Sequence, residues 1–268
     1  MKQIRNYLLT ITLLSFFFMS CSSAPITGRK QLNLIPESEM LSMSFSQYDQ
    51  FLKEHQESNN AQQVALVKKV GSNIASAVEQ YLRQNGKSGE ISNYKWEYHL
   101  VVDSQANAWC MPGGKIVVYT GILPITQDEN GLAVVLGHEI AHAVAHHGNE
   151  RMSQALLAQL GGVALSQALS DKPQQTQQLW MAAYGLGAQV GVLLPYSRTQ
   201  ESEADHLGLI FMAMAGYNPN GAIEFWQRMQ AQSQGAPPVF LSDHPANQTR
   251  INDIKAEMPE AMKYYKKG

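Results

Sequence analysis

Cysteine and charge are scarce in this sequence. Its 268 residues include two cysteines, which excludes a fold held together by several disulfide bonds. Charged residues make up 16% of the chain, whereas about 25% is usual in a globular domain. The formal net charge is −2 and the basic residues form no patch, so the composition does not indicate a nucleic-acid partner. Hydrophobic residues, at 44%, suffice for one sizeable domain with its own core.

The sequence also lacks a hydrophobic run of the roughly 20 residues that a transmembrane helix needs. A shorter apolar stretch at residues 7–19 follows Lys2 and Arg5 and precedes Cys21, an order typical of a secretory signal peptide. We predict that cleavage leaves Cys21 as a lipidated first residue. The alternative is an ordinary secretory signal cleaved nearby, because Phe18 stands where a lipoprotein signal usually has Leu. A lipid at Cys21 would anchor the protein to a membrane, with the outer membrane favoured, facing the periplasm.

The most informative motif is H-E-x-x-H at residues 138–142. The apolar run before it predicts a buried helix, on which His138 and His142 lie one turn apart on the same face. Two imidazoles in this arrangement can share one zinc ion, and Glu139 lies beside them in position to act as a general base. For so short a motif, the alternative is a pair of histidines that bind no metal. A further histidine ligand at residue 148 is excluded, because Gly148 stands there.

A second segment supplies a candidate third ligand. Glu201, Ala204, Asp205 and Gly208 share one face of a predicted helix. Glu201 is placed to ligate a metal and Asp205 to orient a ligand histidine, while the two small residues would let this helix approach the H-E-x-x-H helix closely. The alternative is a solvated acidic first turn, which the helix dipole favours. The combination with the H-E-x-x-H motif favours the metal site.

Several motifs together resemble those of the M48 (Ste24/HtpX/OMA1-like) metallopeptidases, which are of the gluzincin type. Residues 198–205 are similar to the family's R-x-x-E-x-x-A-D motif. Residues 107–114 are similar to its N-A-x-x-x-P-G-G segment, and residues 244–250 to its H-P-x-x-x-x-R element. The resemblance runs over residues 31–254 and is closest to the soluble OMA1-like members.

The resemblance implies one zinc ion per chain and a role for each matching residue. Zinc would be held by His138, His142 and Glu201, with Glu139 as the general base. His244 would either stabilise the oxyanion or occupy the open zinc position at rest. The other candidate residues are Asp205 and Arg250 in the catalytic site, with Arg250 holding a substrate carbonyl or carboxylate or pairing with Asp205, and, for substrate binding, Asn107, Gly113, Gly114 and Lys115.

Hydrophobic periodicity and turn residues predict an α+β fold that is mainly helical. Helices are expected over residues 36–57, 61–84, 128–147, 151–169, 198–215, 219–232 and 246–258, and strands over residues 94–102, 108–111 and 115–119. With the resemblance, this predicts a zincin-like domain with a small antiparallel sheet beside the H-E-x-x-H helix. The remaining apolar stretch, residues 179–194, is expected to be a buried helix after a Gln-rich linker at residues 171–178, and the alternative is a membrane-touching or mobile lid. The predicted organisation is a signal peptide over residues 1–20, a tether over residues 21–35 and a peptidase domain over residues 36–268.

The predicted function is that of a zinc endopeptidase of the bacterial cell envelope. The resemblance implies that it cleaves unfolded or misassembled proteins in quality control. An extended substrate that adds to the edge of the sheet by main-chain hydrogen bonds would bind whatever its side chains. The alternative, from a different class, is an envelope chaperone or assembly factor in which the zinc is structural or latched by His244.

Overall fold

The computed structural model describes residues 21–168, 170, 174, 197–232 and 238–266. The predicted signal peptide, most of the predicted linker and the apolar stretch at residues 179–194 lie outside the described residues. The chain divides into two compact units, which consist of Met1–Glu37 with Gly148–Leu194 and of Ser38–His147 with Pro195–Gly268.

The described elements are mainly helical. In chain order, the strands are β1 (Cys21–Ser23), β2 (Lys30–Leu32), β3 (Glu97–Val101), β4 (Ala108–Met111) and β5 (Lys115–Tyr119). The α-helices are α1 (Glu37–Glu54), α2 (Ala61–Gln84), α3 (Leu123–Thr126), α4 (Glu129–Val144), α5 (His147–Ala168), α6 (Arg198–Met214), α7 (Gly221–Gln232), α8 (Phe240–Asp243) and α9 (Gln248–Ala261). Within this part of the chain, no helix combines the length and the hydropathy that a membrane span requires.

The first unit contains a β-hairpin where the sequence predicted a tether. β1 and β2 pair antiparallel. Arg29, between these strands, donates hydrogen bonds to both carboxylate oxygens of Glu150 in α5, at 2.9 and 2.7 Å. The backbone N–H of Leu34 donates to Ser153 Oγ at 2.8 Å. These bonds occupy polar groups that an irregular tether would leave to water.

The second unit is built around the crossing of α4 and α6. The Asp128 side chain caps α4 by accepting a hydrogen bond from the Gly131 N–H at 2.7 Å, and every residue from Gly131 to Val144 is buried. At the crossing, a Cβ atom on Gly137 would lie 2.9 Å from the carbonyl oxygen of Gly208. A larger residue at either position would push the helices apart, so the close approach predicted at Gly208 is confirmed.

A three-stranded sheet with the order β3–β5–β4 completes the second unit. β4 and β5 form the predicted antiparallel hairpin, and β3 joins parallel to β5, which makes the sheet mixed. All five residues of β5 are buried, and a strand buried on both faces takes a central place with both edges paired. β4 is therefore left at an edge, where it packs against α4.

Two turns differ from the sequence predictions. α4 ends at Val144, because His146 adopts a left-handed φ of 59° and a new helix starts at His147. Between the helices predicted over residues 219–232 and 246–258, the structure has the short helix α8, which ends at Asp243 and is followed by His244 as its C-cap. Pro245 follows, and a residue before proline is disfavoured in the helical region. Each difference changes the position of a histidine, His147 in the first turn and His244 in the second.

Candidate metal centre

Four donor side chains meet between α4, α6 and the turn after α8. His138, His142, Glu201 and His244 are buried, and one ligand atom from each lies within 4.8 Å of the other three. Nε2 of His138 is 3.0 Å from Nε2 of His142 and 3.0 Å from Nδ1 of His244. Oε1 of Glu201 is 3.2 Å from Nε2 of His142 and 2.9 Å from Nδ1 of His244. The structure therefore brings the three predicted ligands together, and with them His244, for which occupation of the open zinc position was one of the two predicted roles.

These donor atoms fit a zinc ion. Zinc bonds to nitrogen and carboxylate oxygen measure about 2.0–2.2 Å, which places the ligand atoms of a tetrahedral site roughly 3.3 Å apart. Nε2 of His138 faces two other ring nitrogens at once, and one proton satisfies at most one of those contacts. Convergent lone pairs of imidazole and carboxylate are the donors that zinc prefers.

The charges of this cluster also favour a cation at its centre. Burial lowers the pKa of His138, but the carboxylates of Glu201 and Asp205 outweigh burial and raise that pKa to about 9. Burial raises the pKa of Glu201, but His138 and hydrogen bonds from the neighbouring histidines bring it far below its ordinary value. The Glu201 carboxylate is therefore ionised at neutral pH and stabilises positive charge beside it.

Glu139, the predicted general base, lies beside the donor set and is not part of it. Its Oε1 atom is 3.4 Å from Nε2 of His244 and has no hydrogen-bond partner among the described residues. Burial raises the pKa of Glu139, and His244 and His138 offset part of that rise. A carboxyl group with a raised pKa and an oxygen without a hydrogen bond suits proton transfer.

Asp205 supports His138 from the side opposite the donor set. Its Oδ1 atom lies 3.0 Å from Nδ1 of His138, and Arg250 donates to both of its carboxylate oxygens at 2.7 Å. Burial raises the pKa of Asp205, but Arg250 and His138 together outweigh burial and lower that pKa below its ordinary value. The Arg250 guanidinium also lies 3.5 Å from the ring centroid of Trp226. Of the two roles predicted for Arg250, the structure shows the pairing with Asp205.

Two residues beside the cluster, His147 and Glu203, were not among the predicted site residues. Nδ1 of His147 lies 2.8 Å from Nδ1 of His142, and Nε2 of His147 lies 3.0 Å from Oε2 of Glu203. Helical spacing does not place either residue on the face of the metal ligands, because His147 follows the end of α4 and Glu203 is two positions after Glu201. The one available signal was chemical, an additional histidine and an additional carboxylate beside the two motifs.

The residues predicted to bind substrate lie in and around the β4–β5 hairpin. The side-chain oxygen of Asn107 accepts a hydrogen bond from the backbone N–H of the next residue, at 2.9 Å. Gly113 and Gly114 form the turn with φ values of 83° and 81°, a region that glycine favours. Lys115 is buried and forms an ion pair with Glu97. The contacts described for Lys115 therefore lie in the sheet and under α1, and none of them involves the cluster.

A cavity of about 310 Å³ opens beside the cluster, between α6 and α9. Its lining includes Glu201 and Asp205 from the cluster side and Asp253 and Glu257 from α9. Oε2 of Glu257 is buried and has no hydrogen-bond partner among the described residues. Burial, followed by the charges of Asp205 and Asp253, raises the pKa of Glu257 to about 7.

Comparison with known proteins places this cluster in a family context. The sequence profile of peptidase family M48 matches residues 70–258, more than half of the chain, and the match contains all four donor residues. The mitochondrial metalloendopeptidase OMA1 of Schizosaccharomyces pombe is 39% identical over 173 residues, which cover 64% of this chain and 49% of that protein.

Two further relatives extend the comparison. OMA1 of Saccharomyces cerevisiae is 30% identical over 268 residues, which cover 94% of this chain and 73% of that protein. The beta-barrel assembly-enhancing protease of Yersinia pestis is 31% identical over 165 residues, which cover 60% of this chain and 34% of that protein. The matched region therefore spans about half the length of the S. pombe relative and a third of the Y. pestis one.

Proposed function

The chain belongs to peptidase family M48, and on this premise we propose that it is a zinc-dependent endopeptidase. The observation that carries the proposal is the buried convergence of His138, His142 and Glu201, with Glu139 adjacent to His138 in the chain. Two imidazoles and one carboxylate form a ligand set typical of catalytic zinc in peptidases, where a fourth position is open.

Each residue of the site has a separate role in peptide hydrolysis. Zinc, when bound, supplies a Lewis acid that polarises the scissile carbonyl and acidifies water. Glu139 accepts the proton of the attacking water and returns it to the leaving nitrogen. The raised pKa of Glu139 lies closer to neutral pH, where the carboxyl group can both accept and return a proton. Asp205 orients His138 by accepting the hydrogen bond of Nδ1, and Arg250 holds Asp205 in place.

We propose that substrate lies extended along β4. This strand is at the edge of the sheet and packs against α4, the helix of the H-E-x-x-H motif. Hydrogen bonds to the main chain of an edge strand do not depend on the side chains of the bound peptide. Such binding favours unfolded or misassembled proteins, because a folded protein seldom offers an unpaired extended segment. Asn107, Gly113 and Gly114 would frame this edge, and Lys115 would support it from the sheet.

The proposed location is the bacterial cell envelope, with a lipid on Cys21 anchoring the protein to a membrane on its periplasmic side. The order of basic residues, apolar stretch and Cys21 supports this proposal. The Y. pestis relative is named for β-barrel assembly, which is consistent with a role in envelope quality control. Labelling with a radioactive fatty acid tests the anchor: wild type should incorporate label, and Cys21→Ser should not.

The peptidase proposal is tested by the change Glu139→Gln. Purified protein would be incubated with a denatured, alkylated model protein, and zinc content would be measured on the same samples. We expect Glu139→Gln to keep zinc and to lose cleavage by a factor of about 10²–10⁴, because the general base is gone. The matched control is Glu129→Gln, the same change on the first turn of the same helix, where Glu129 pairs with Lys69 at the surface. Cleavage by Glu139→Gln at the wild-type rate would rule out the proposed role of Glu139.

A chaperone or assembly factor with a latched zinc site is the second candidate function, and the position of His244 favours it. His244 supplies a fourth donor, and four protein ligands characterise structural zinc sites. A strain that lacks the gene for this protein, and that grows poorly as a result, distinguishes the two candidates. Restoration of its growth by Glu139→Gln would support the chaperone, whereas failure of this variant, with His244→Ala active, would support a peptidase that His244 keeps latched at rest.

A further inference from the structure

The two candidate ligand histidines of α4 have different outer hydrogen-bond partners. On His138, Nδ1 lies 3.0 Å from a carboxylate oxygen of Asp205. On His142, Nδ1 lies 2.8 Å from another imidazole nitrogen, Nδ1 of His147. The far nitrogen of His147, Nε2, lies 3.0 Å from Oε2 of Glu203. A carboxylate thus supports each ligand histidine, directly in one case and through an intervening imidazole in the other.

The hydrogen-bonded row of His142, His147 and Glu203 allows one consistent placement of the protons. His142 directs Nε2 into the donor set, so a metal there leaves its proton on Nδ1. That proton is donated to Nδ1 of His147, which must then carry its own proton on Nε2. Nε2 of His147 in turn donates to Oε2 of Glu203, which accepts the hydrogen bond. The carboxylate at the end of the row therefore selects the tautomer of both imidazoles.

We propose that His147 and Glu203 are positioning residues that hold His142 in the tautomer and orientation needed to bind zinc. The inference rests on the proposed function, because it concerns the zinc ion of the proposed peptidase. His147 is fully buried and the Glu203 side chain is 5% exposed, so water does not compete for these hydrogen bonds. Supporting groups of this kind typically change metal affinity by about 10–100-fold.

The backbone explains why an imidazole stands between Glu203 and His142. Glu203 is two positions after Glu201 on α6, roughly 200° around the helix, and so on nearly the opposite face from the ligand carboxylate. The left-handed turn at His146 ends α4 and starts α5 at His147. This turn brings the ring of His147 into the space between α4 and α6, where its two nitrogens contact His142 and Glu203.

The first test reads the tautomers in the wild-type protein. Protein containing ¹⁵N-labelled histidine would be loaded with zinc, and two-bond nitrogen–proton correlations would be recorded for the ring nitrogens. We expect a proton on Nδ1 of His142 and on Nε2 of His147. A proton on Nδ1 of His147 would overturn the proposal, because this ring could then no longer accept the hydrogen bond of His142. This test does not depend on whether a variant folds.

The second test measures zinc dissociation by competition with a chromophoric chelator. We expect His147→Leu and Glu203→Leu to raise the dissociation constant about 10–100-fold. Glu203→Gln should lose less zinc affinity than Glu203→Leu, because the amide oxygen of the glutamine still accepts a hydrogen bond from His147. The matched control is His146→Asn, a change at the neighbouring histidine to a residue that tolerates its left-handed φ; it should bind zinc like wild type.

The outcomes separate this inference from the proposed function. If wild type binds zinc and His147→Leu binds it equally well, the positioning role is overturned and the peptidase proposal stands. If wild type itself binds no zinc, the proposed function fails at its first step. A purely structural role would lower the thermal stability of the metal-free protein in both Glu203 variants and would leave zinc dissociation unchanged.

Discussion

The donor cluster holds buried carboxyl groups and the cavity next to it holds the half-buried Glu257, and the pKa values in the two regions shift in opposite directions. In the cluster, the pKa values of Glu201 and Asp205 lie below their ordinary values. In the cavity, the pKa of Glu257 is raised to about 7. Burial acts in the same direction on all three groups, because it always disfavours the charged form of a carboxyl.

The difference lies in the cations within reach. Arg250 Nη1 lies 2.7 Å from Glu201, and the guanidinium donates to both oxygens of Asp205 at 2.7 Å. For Glu257, the one ion-pair contact among the described residues is with an imidazole, Nδ1 of His206, at 4.0 Å, and no Lys or Arg side chain there forms such a contact. Burial alone therefore does not define a functional carboxylate in this protein. A site forms where burial coincides with fixed positive or proton-donating partners, and three substitutions probe that contrast.

The largest effect is expected for Glu201→Ala, which removes a candidate ligand from the cluster. Two histidines of α4 and His244 would remain, and zinc affinity should fall by more than the roughly 100-fold that a supporting residue contributes. Metal content after dialysis against a weak chelator would measure the loss. Ser202→Ala, at the exposed neighbouring position on the same helix, is the matched control. Unchanged zinc content in Glu201→Ala would remove Glu201 from the set of ligands.

A smaller effect is expected for Asp205→Asn, at the boundary between the two regions. The amide would leave the buried Arg250 guanidinium without its bidentate partner, at a cost of about 3 kcal/mol in stability. It would also weaken the support of His138, with zinc affinity lowered about 10–100-fold. Thermal unfolding and zinc titration would measure the two losses separately. Asp253→Asn, an exposed carboxylate in the same cavity, should change neither, and equal losses in both variants would contradict the assigned role of Asp205.

The smallest effect, of opposite sign, is expected for Glu257→Gln in the cavity. The pKa of Glu257 is about 7 in the folded protein and about 4.3 in an unfolded chain. As pH rises through this window, the unfolded state loses its proton first, so the carboxyl group progressively destabilises the fold. Glu257→Gln removes this loss and should stabilise the protein by about 1–3 kcal/mol at pH 8, with little change at pH 4.

Urea unfolding at the two pH values would measure this difference for Glu257→Gln. Glu260→Gln, on the exposed face of the same helix, is the control and should have a much smaller effect. A stabilisation by Glu257→Gln that is equal at pH 4 and pH 8 would show that charge is not its cause. The contrast between the cavity and the cluster would then need another explanation.

Local sequence patterns predicted most of the elements that build the site. The predicted bounds of α2, β4 and β5 agree with the structure, because hydrophobic periodicity and the Pro-Gly-Gly turn act over a few residues. The pairing of β3 was not predictable in the same way. It is parallel to β5, a pairing between segments separated by β4, and no local pattern encodes the order of strands in a sheet.

The candidate ligands show the same division. His138 and His142 lie one turn apart on one helix, so their spacing alone places them together. Glu201 was found because its own motif has helical spacing, and the pair Gly137 and Gly208 then lets the two helices meet. The distances among the donor atoms, and the entry of His244 into the set, follow from packing between distant segments.

The sequence by itself determined that α4 carries two histidines and a glutamate on a buried helix, and that α6 carries a carboxylate ready to join them. Only the tertiary structure decided which polar groups surround these ligands. His147 reaches His142 through a left-handed turn, Glu203 meets His147 across two helices, and Arg250 arrives from α9 to pair with Asp205. Helical periodicity fixes positions within one element, whereas the hydrogen-bond partners of a buried group depend on every element that packs against it.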